Sequence, residues 1–157
     1  MSEPQPLLEI LAWDQPGYRP LAFGEGWQVA LLNWLAMFDW ENAGPIERHI
    51  LTDEVFVLVR GRALIFVSDG ERLAAAEMHP GSLYAVKAGA WHNLLSTRDA
   101  AWVIVERDGT HLEDSEKRPM SAAELASLSA QLPGWVRNQA GVNPGENESH
   151  GIVSRSS

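Results

Sequence analysis

The sequence predicts an all-β fold, either a β-sandwich or a small barrel built from many short strands. Turn signals recur about every ten residues through the middle of the chain, most clearly at Asp69-Gly70 and Pro80-Gly81. Between the turns, apolar residues alternate with period two, as they do from Glu54 to Val59. No helical patterns alternate with the strands, and this argues against a parallel α/β fold.

The N-terminal part is expected to be an extension followed by two strands. We expect residues 1–26 to pack on the barrel, with a loop imposed by Pro16-Gly17 and Pro20. Residues 27–33 and 34–40 are long enough together for one amphipathic helix. Their dense aromatic and branched side chains, and the absence of a capping box before them, favour two strands.

The barrel is predicted to occupy residues 27–106. A tight turn at Thr52-Asp53 should join the predicted strands 46–51 and 54–59, because both side chains can form hydrogen bonds with nearby backbone groups. After the first two strands, the predicted strands are 46–51, 54–59, 62–67, 71–78, 83–86, 91–96 and 101–106.

The C-terminal part is predicted to contain a loop and one small helix within residues 107–137. Ser121 and Glu124 form a capping box that opens the helix, and Pro133-Gly134 ends it. Leucines at helical spacing should pack this helix on the barrel. The acidic stretch before it is interpreted as a solvated loop, and residues 138–157 are expected to be a disordered tail.

Composition excludes several classes of function. The net charge of -9 opposes nucleic-acid binding, because phosphate contacts need clustered Lys and Arg. No apolar run has membrane-spanning length, and the N-terminus lacks a signal-peptide pattern, so a cytoplasmic protein without a membrane partner is expected. The chain has no cysteine, so any metal must be held by His, Asp, Glu or water.

The first candidate site motif surrounds a histidine and a glutamate. His49 is followed after four residues by Glu54 and after six more by Gly61. This pattern resembles the first motif of the cupin superfamily, G-x5-H-x-H-x3-4-E-x6-G. The chain departs from it at Glu47, which stands where the family has the upstream histidine.

A second motif, later in the chain, supplies another histidine. Gly81, Gly89 and His92 match the second cupin motif, G-x5-P-x-G-x2-H-x3-N, while Lys87 and Ser96 replace its proline and asparagine. The resemblance implies a double-stranded β-helix, the jelly-roll cupin barrel, with a small C-terminal helix added here. It also implies a homodimer, as similar cupins often form.

The two motifs predict a metal site. Residues two apart on a strand share a face, so Glu47 and His49 should point together, and a hairpin should bring Glu54 opposite them. If His92 joins them, two imidazoles and one carboxylate converge, as in a non-haem Fe(II) site with open positions. The expected ligands are His49, Glu54 and His92, the ion being Fe, Mn, Ni or Zn, with Glu47 as fourth ligand or general base.

The expected function is that of a metal-dependent small-molecule enzyme of oxygenase, isomerase or hydrolase type, since the family hosts all of these. The alternative is a non-catalytic cupin that binds or senses a small molecule without metal, in which Glu54 is a buried acid bonded to His92. A scaffold that acts only through oligomer contacts is a third option. His79, His111 and His150 are assigned no role.

Overall fold

The computed structural model describes residues 6–139, which form two antiparallel five-stranded sheets. The strands are β1 (Gly17–Gly24), β2 (Trp27–Asn33), β3 (Pro45–Arg48), β4 (Glu54–Arg60), β5 (Ala63–Ser68), β6 (Leu73–Met78), β7 (Tyr84–Val86), β8 (Trp91–Ser96), β9 (Ala101–Glu106) and β10 (Glu116–Pro119). Sheet A has the order β1-β2-β9-β4-β7, and sheet B has the order β10-β3-β8-β5-β6. This arrangement confirms the predicted all-β jelly roll.

Three helices follow or interrupt the last strands. They are α1 (Thr110–Glu113), α2 (Ala122–Gln131) and α3 (Gly134–Gln139). Among residues 6–139, no helix has the length and apolar character needed to cross a membrane. The predicted capping box is confirmed, because the Ser121 side chain accepts from the Glu124 backbone N–H while the Glu124 carboxylate accepts from the Ser121 N–H.

The main core lies between the two sheets. On β4, Glu54, Phe56 and Leu58 are buried while the residues between them are more exposed, so the predicted alternation is confirmed. Trp102 and Ile104 on β9 fill the same core. One end of this core is polar, and the predicted site residues line a cavity there.

A second apolar cluster covers the outer face of sheet B. Leu128, Leu132 and Val136, from the helical C-terminal segment, pack on Leu64 and Phe66 of β5. The leucines of the predicted helix therefore do pack on the barrel. The predicted disordered tail, 138–157, lies almost wholly outside the described residues.

The predicted loop at Pro16-Gly17 and Pro20 is wrong, since Gly17–Gly24 is strand β1 of sheet A. β1 is an edge strand, and its register shifts between Pro20 and Ala22. Proline is tolerated at edges and bulges, where its missing N–H breaks no ladder bond. The assignment of residues 1–26 to a separate extension stays a prediction, although β1 pairs fully with β2.

The predicted strand over 34–40 is also wrong. The chain there forms short 3-10 turns at Ala36–Phe38 and Trp40–Asn42. Phe38 is buried edge-on against Trp102, with ring centroids 5.7 Å apart. The dense aromatic residues therefore serve to close the core and not to pair strands.

The predicted hairpin at Thr52-Asp53 does not form. β3 pairs with β8 and β10, whereas β4 pairs with β7 and β9, so the connection between β3 and β4 crosses from sheet B to sheet A. The predicted strand 46–51 ends early, at Arg48. The predicted solvated loop at 108–118 instead contains α1 and part of β10.

Candidate metal site

A cavity of about 210 Å³ opens at the polar end of the barrel. Its lining combines apolar side chains, such as Leu35, Met37 and Phe56, with carboxylates and imidazoles. The polar residues that line it are Tyr18, Glu47, His49, Glu54, His92, Asn93, Glu106, His111, Ser115 and Lys117. The cavity suits a small molecule with an apolar part, bound beside a charged centre.

His49 lies just beyond the end of β3, where the chain leaves sheet B. Its Nδ1 lies 2.5 Å from the backbone carbonyl oxygen of Asp114. The carboxylate of Asp114 in turn accepts hydrogen bonds from the backbone N–H groups of Ile50 (2.9 Å) and Leu51 (2.8 Å). Because a carbonyl can only accept, Nδ1 must donate, and Nε2 is directed into the cavity.

His92 enters from β8 and is oriented in the same way. Its Nδ1 lies 3.1 Å from the carbonyl oxygen of Ala90, so this nitrogen is the donor. Its Nε2 lies 2.9 Å from Oε2 of Glu54. The imidazole is almost completely buried, and it packs edge-on against Phe56.

Glu54 meets the two histidines from the opposite sheet. As the first residue of β4 it points inward from sheet A, and its Oε2 also lies 3.3 Å from Nε2 of His49. The structure therefore brings all three predicted ligand residues together. They converge across the sandwich and not through the hairpin that the sequence had predicted.

Burial and charge act in opposite directions on these groups. Burial lowers the pKa of His49, but hydrogen bonds to Glu54 and to the Asp114 carbonyl outweigh it and raise that pKa to about 9. Burial likewise opposes charge on His92, whose pKa is nevertheless raised by its hydrogen bond to Glu54. The pKa of Glu54 is raised by burial, but the two histidines lower it below its usual value. The contacts among the three residues thus favour the charged form of each one.

The donor set fits a divalent metal ion. Both Nε2 atoms face one carboxylate oxygen, and unprotonated nitrogens would repel it, so either protons or a cation must lie among them. Donor atoms bonded to one ion at about 2.0–2.1 Å lie roughly 2.8–3.4 Å apart in octahedral or tetrahedral geometry. The distances of 2.9 and 3.3 Å lie within this range. That these three residues hold a metal stays a prediction.

Glu47 lies beside the cluster at the edge of the cavity. It pairs directly with His92 across β3 and β8, and its Oε2 accepts a hydrogen bond of 3.0 Å from the Ser115 hydroxyl. The ammonium of Lys117 lies 3.8 Å from the same oxygen. Ligand atoms of Glu47, His49 and His92 all lie within 4.8 Å of one another. Glu47 is therefore within reach of the centre but more open to solvent.

A third carboxylate was missed by the sequence reasoning. Glu106 is buried, and ligand atoms of His49, Glu54 and Glu106 also lie within 4.8 Å of one another. The Tyr18 hydroxyl and the Gln28 amide (2.9 Å) both donate to its Oε1. Burial, followed by the charge of Glu54, raises the pKa of Glu106. Its position two residues after Ile104 on one strand face was the signal that could have identified it.

His111, which was assigned no role, also reaches this region. Its Nδ1 lies 3.0 Å from the side-chain nitrogen of Gln28, and its ring lies 5.4 Å from that of Tyr18. An amide nitrogen can only donate, so Nδ1 accepts there. Nothing in the local sequence distinguishes this histidine, because the fold alone brings α1 next to β2.

Comparison with known proteins supports the fold. No family model and no curated protein matches the chain. A protein of Bacillus halodurans is similar over 73% of this chain and 85% of its own, with 19% identity and a TM-score of 0.52. A cupin-2 domain containing protein of Shewanella frigidimarina covers 60% of this chain and 84% of its own (19% identity, TM-score 0.44). The cobalt(II) form of HppE in complex with substrate covers 64% of this chain and 57% of its own (15% identity, TM-score 0.49).

Proposed function

We propose that this protein, which has the fold of the cupins, is a metal-dependent enzyme acting on a small molecule. The observation that carries the proposal is the convergence of two buried imidazoles and one buried carboxylate oxygen, from opposite sheets, at distances of 2.9 and 3.3 Å. A buried carboxylate in an apolar barrel is costly unless it is ligated or paired. Imidazole and carboxylate ligands without a thiolate suit Fe, Mn, Ni or Zn.

His49, Glu54 and His92 are the residues that would hold the ion. The carbonyls of Asp114 and Ala90 fix the two rings so that each presents Nε2, which is the usual way of orienting a histidine ligand. When bound, a divalent metal polarises a substrate oxygen or activates water or O2. With three protein ligands, the ion would keep coordination positions available for these molecules.

Glu47 is the residue we assign to proton transfer. Its carboxylate lies at the cavity, is partly exposed and accepts from Ser115, so it can exchange a proton with solvent. Fourth-ligand and general-base roles make different predictions. Replacing a ligand lowers metal affinity, whereas replacing a base lowers turnover and leaves the metal in place.

The experiment is elemental analysis of chelator-free protein, together with the variants Glu54→Ala, His92→Ala and Glu47→Gln. We expect close to one Fe, Mn, Ni or Zn per chain in the wild type and loss of it in the first two variants. Glu47→Gln serves as the matched control, since it removes a neighbouring carboxylate and should keep the metal. Unchanged metal content in Glu54→Ala, with circular dichroism confirming the fold, would refute the site.

A second candidate is a small-molecule binding or sensing protein that needs no metal. It is favoured by the direct hydrogen bond of 2.9 Å between His92 and Glu54, which pairs the buried carboxylate without any ion. Thermal shifts separate the two candidates. A ligand that raises the melting temperature after exhaustive chelation supports binding without metal, whereas ligand effects that appear only with metal support the enzyme.

A further inference from the structure

One carboxylate oxygen of the cavity has no partner in the protein. Glu106 is only 5% exposed, and the hydrogen bonds from the Tyr18 hydroxyl and the Gln28 amide both go to its Oε1. Its Oε2 accepts no hydrogen bond within residues 6–139, yet it is not among the side-chain atoms there that are sealed from solvent without a partner. Because Glu106 lines the cavity, Oε2 is the oxygen that a bound molecule can reach.

A fully buried amide fixes the orientation of this carboxylate. The Oε1 atom of Gln28 accepts a hydrogen bond of 3.1 Å from the backbone N–H of Gly109. Because an N–H can only donate, the other end of the amide, Nε2, is the end that faces Glu106 (2.9 Å) and the Tyr18 hydroxyl (2.8 Å). Oε1 of Glu106 is therefore held by the protein, which leaves Oε2 for the cavity.

The same amide determines which nitrogen of His111 carries a proton. Nε2 of Gln28 lies 3.0 Å from Nδ1 of His111. A proton on Nδ1 would set two donors against each other, so Nδ1 accepts and the neutral ring has its hydrogen on Nε2. His111 also lines the cavity, and within residues 6–139 its one side-chain hydrogen bond is the one at Nδ1. Glu106 and His111 thus offer one acceptor and one donor, both positioned by Gln28.

Two other polar side chains of the cavity already have partners. The Asn93 amide donates to a backbone carbonyl at 2.6 Å, and the Glu47 carboxylate accepts from the Ser115 hydroxyl at 3.0 Å. A buried carboxylate oxygen that stays unpaired is costly. Oε2 of Glu106 therefore indicates a place where a bound molecule supplies a hydrogen bond.

We propose that Glu106 and His111 form a subsite for a substrate hydroxyl group, so that the small molecule bound in this cavity is an alcohol. A hydroxyl can donate to Oε2 of Glu106 and accept from the Nε2–H of His111 at the same time. An ammonium group has no acceptor for His111, and a carbonyl or carboxylate group has no donor for Glu106. The inference names the substrate class of the cavity and rests on the proposed function, although the subsite itself needs no metal.

The hydroxyl subsite borders the candidate metal centre. A carboxylate oxygen of Glu106 lies within 4.8 Å of a ligand atom of His49 and of one of Glu54. Apolar side chains of the same cavity, such as Leu35 and Phe56, suit the carbon skeleton of an alcohol. Glu106 is in this assignment a substrate-binding residue and not a metal ligand.

NMR titrations with three probes that share one carbon ring test the proposal. Cyclohexanol, cyclohexanone and cyclohexylamine are titrated into the full-length protein, as purified and after chelation of metal. Cyclohexanol should bind about tenfold more tightly than either of the others in both states, because a site built for a hydroxyl leaves its polar groups unpaired with the analogues. Equal or tighter binding of the ketone or the amine, or no binding of any probe, would overturn the assignment.

Glu106→Gln should change the preference and not merely weaken binding. The donors from Tyr18 and Gln28 require the new carbonyl oxygen at the position of Oε1, so the new NH₂ group takes the place of Oε2 and donates into the cavity. Cyclohexanone should then bind at least as tightly as cyclohexanol. A purely structural role of Glu106 would weaken all three probes together, and a folded variant that does so, or that keeps the wild-type order of affinities, would contradict the proposal.

His111→Phe tests the donor separately, at an exposed residue where the fold does not depend on the side chain. It keeps a ring beside Tyr18 and removes the N–H, so it should weaken cyclohexanol about fivefold and leave cyclohexylamine unchanged. Glu116→Gln, at an exposed carboxylate of β10, is the control and should change no affinity. Unchanged binding of cyclohexanol to His111→Phe would overturn the assigned pair even if Glu106→Gln does not fold.

Circular dichroism and metal content are measured on the same samples, so that the subsite and the metal centre can fail separately. Glu106→Gln should keep its metal. A preference for cyclohexanol in a protein that binds no metal would refute the metal centre and support the subsite. Bound metal without this preference would refute the subsite alone.

Discussion

Sheet B buries its outer face under the chain's own C-terminal helices, whereas the outward valines of sheet A belong to neither hydrophobic cluster of residues 6–139. The same strand chemistry thus has two outcomes in one molecule. On sheet B the apolar face contributes to the stability of the single chain, while on sheet A this contribution is expected to be smaller. Alternation along the strands alone does not distinguish these outcomes, because both faces are apolar in sequence.

The inner faces differ as well. Sheet B carries His92 and leads directly into His49, and sheet A contributes the buried carboxylates of Glu54 and Glu106. The nitrogen donors and the buried oxygen donors therefore come from opposite sides of the sandwich. A metal bound there would connect the two sheets, so its removal should lower the free energy of unfolding of the whole barrel.

The largest difference between the two outer faces should appear on truncating one residue from each. Leu128→Ala removes a fully buried side chain over sheet B and should lower the free energy of unfolding by roughly 2–5 kcal/mol. Val57→Ala on sheet A should cost less than about 1 kcal/mol in the monomer. Urea denaturation at low protein concentration measures both, and equal losses would contradict the comparison.

The attachment of the covering helix to sheet B depends on a buried carboxylate. Glu124 accepts two hydrogen bonds of 2.8 Å from Arg118 and one of 2.5 Å from the Ser68 hydroxyl. Glu124→Gln should lower the free energy of unfolding by about 2–4 kcal/mol. Glu116→Gln, which weakens only an exposed pair with Arg48, is the control and should cost less than about 1 kcal/mol.

This contact also has a predictable pH dependence. Chiefly Arg118, and with it Ser68 and the Ser121 N–H, hold the pKa of Glu124 well below its usual value. Its stabilisation is therefore complete above the unfolded pKa of about 4.3 and is lost as pH falls below it. The difference in unfolding free energy between wild type and Glu124→Gln should shrink from pH 7 to pH 3. A constant difference would contradict this assignment.

Metal binding should stabilise the contact between the sheets. A metal present at about 100 times its dissociation constant adds about 2.7 kcal/mol to the wild type. Glu54→Ala should show no such gain, because it removes the ligand that sheet A contributes. Glu106→Gln is the matched variant on the same sheet and should keep most of the gain. Differential scanning calorimetry with and without metal measures all three, and equal gains would refute the assigned ligands.

The smallest effect is expected on the surface of sheet B. The guanidinium carbons of Arg48 and Arg118 each lie 4.5 Å from the ring centroid of Trp91. Arg48→Met keeps most of the apolar stem but removes the cation–π contact together with the exposed pair to Glu116, and it should cost about 0.5–1 kcal/mol. Lys87→Met is the control, because it removes an exposed ion pair with Asp53. Thermal denaturation of the two variants compares their losses of stability. A loss no larger than that of the control would show that the stacking adds nothing.

Elements encoded by neighbouring residues were predicted well. The strands 91–96 and 101–106 have the bounds that the sequence predicted, and the capping box opens α2 as expected. Strand β1 and the turns around Phe38 were missed. Their conformations depend on pairing with β2 and on packing against Trp102, and neither partner is adjacent in sequence.

The sequence named three of the residues that converge in the candidate site and missed several that surround them. The motif spacing identified His49, Glu54 and His92, which do converge. Glu106 could have been identified from its position two residues after Ile104, because alternate residues of a strand point to the same face. Asp114, which orients His49, had been taken for part of a solvated acidic loop. A carboxylate that accepts from backbone N–H groups across the fold looks the same in sequence as one that faces water.

By itself, the sequence determined where the strands between residues 54 and 106 lie and which residue types can bind a metal, because these depend on side-chain chemistry and near neighbours. Only the tertiary structure decided which strands share a sheet, which apolar face is covered and which carboxylates surround the histidines. Glu54 meets His92 across 38 residues and Tyr18 meets Glu106 across 88. Such contacts form only when loop closure is compensated by the packing of the whole sandwich, so no local pattern encodes them.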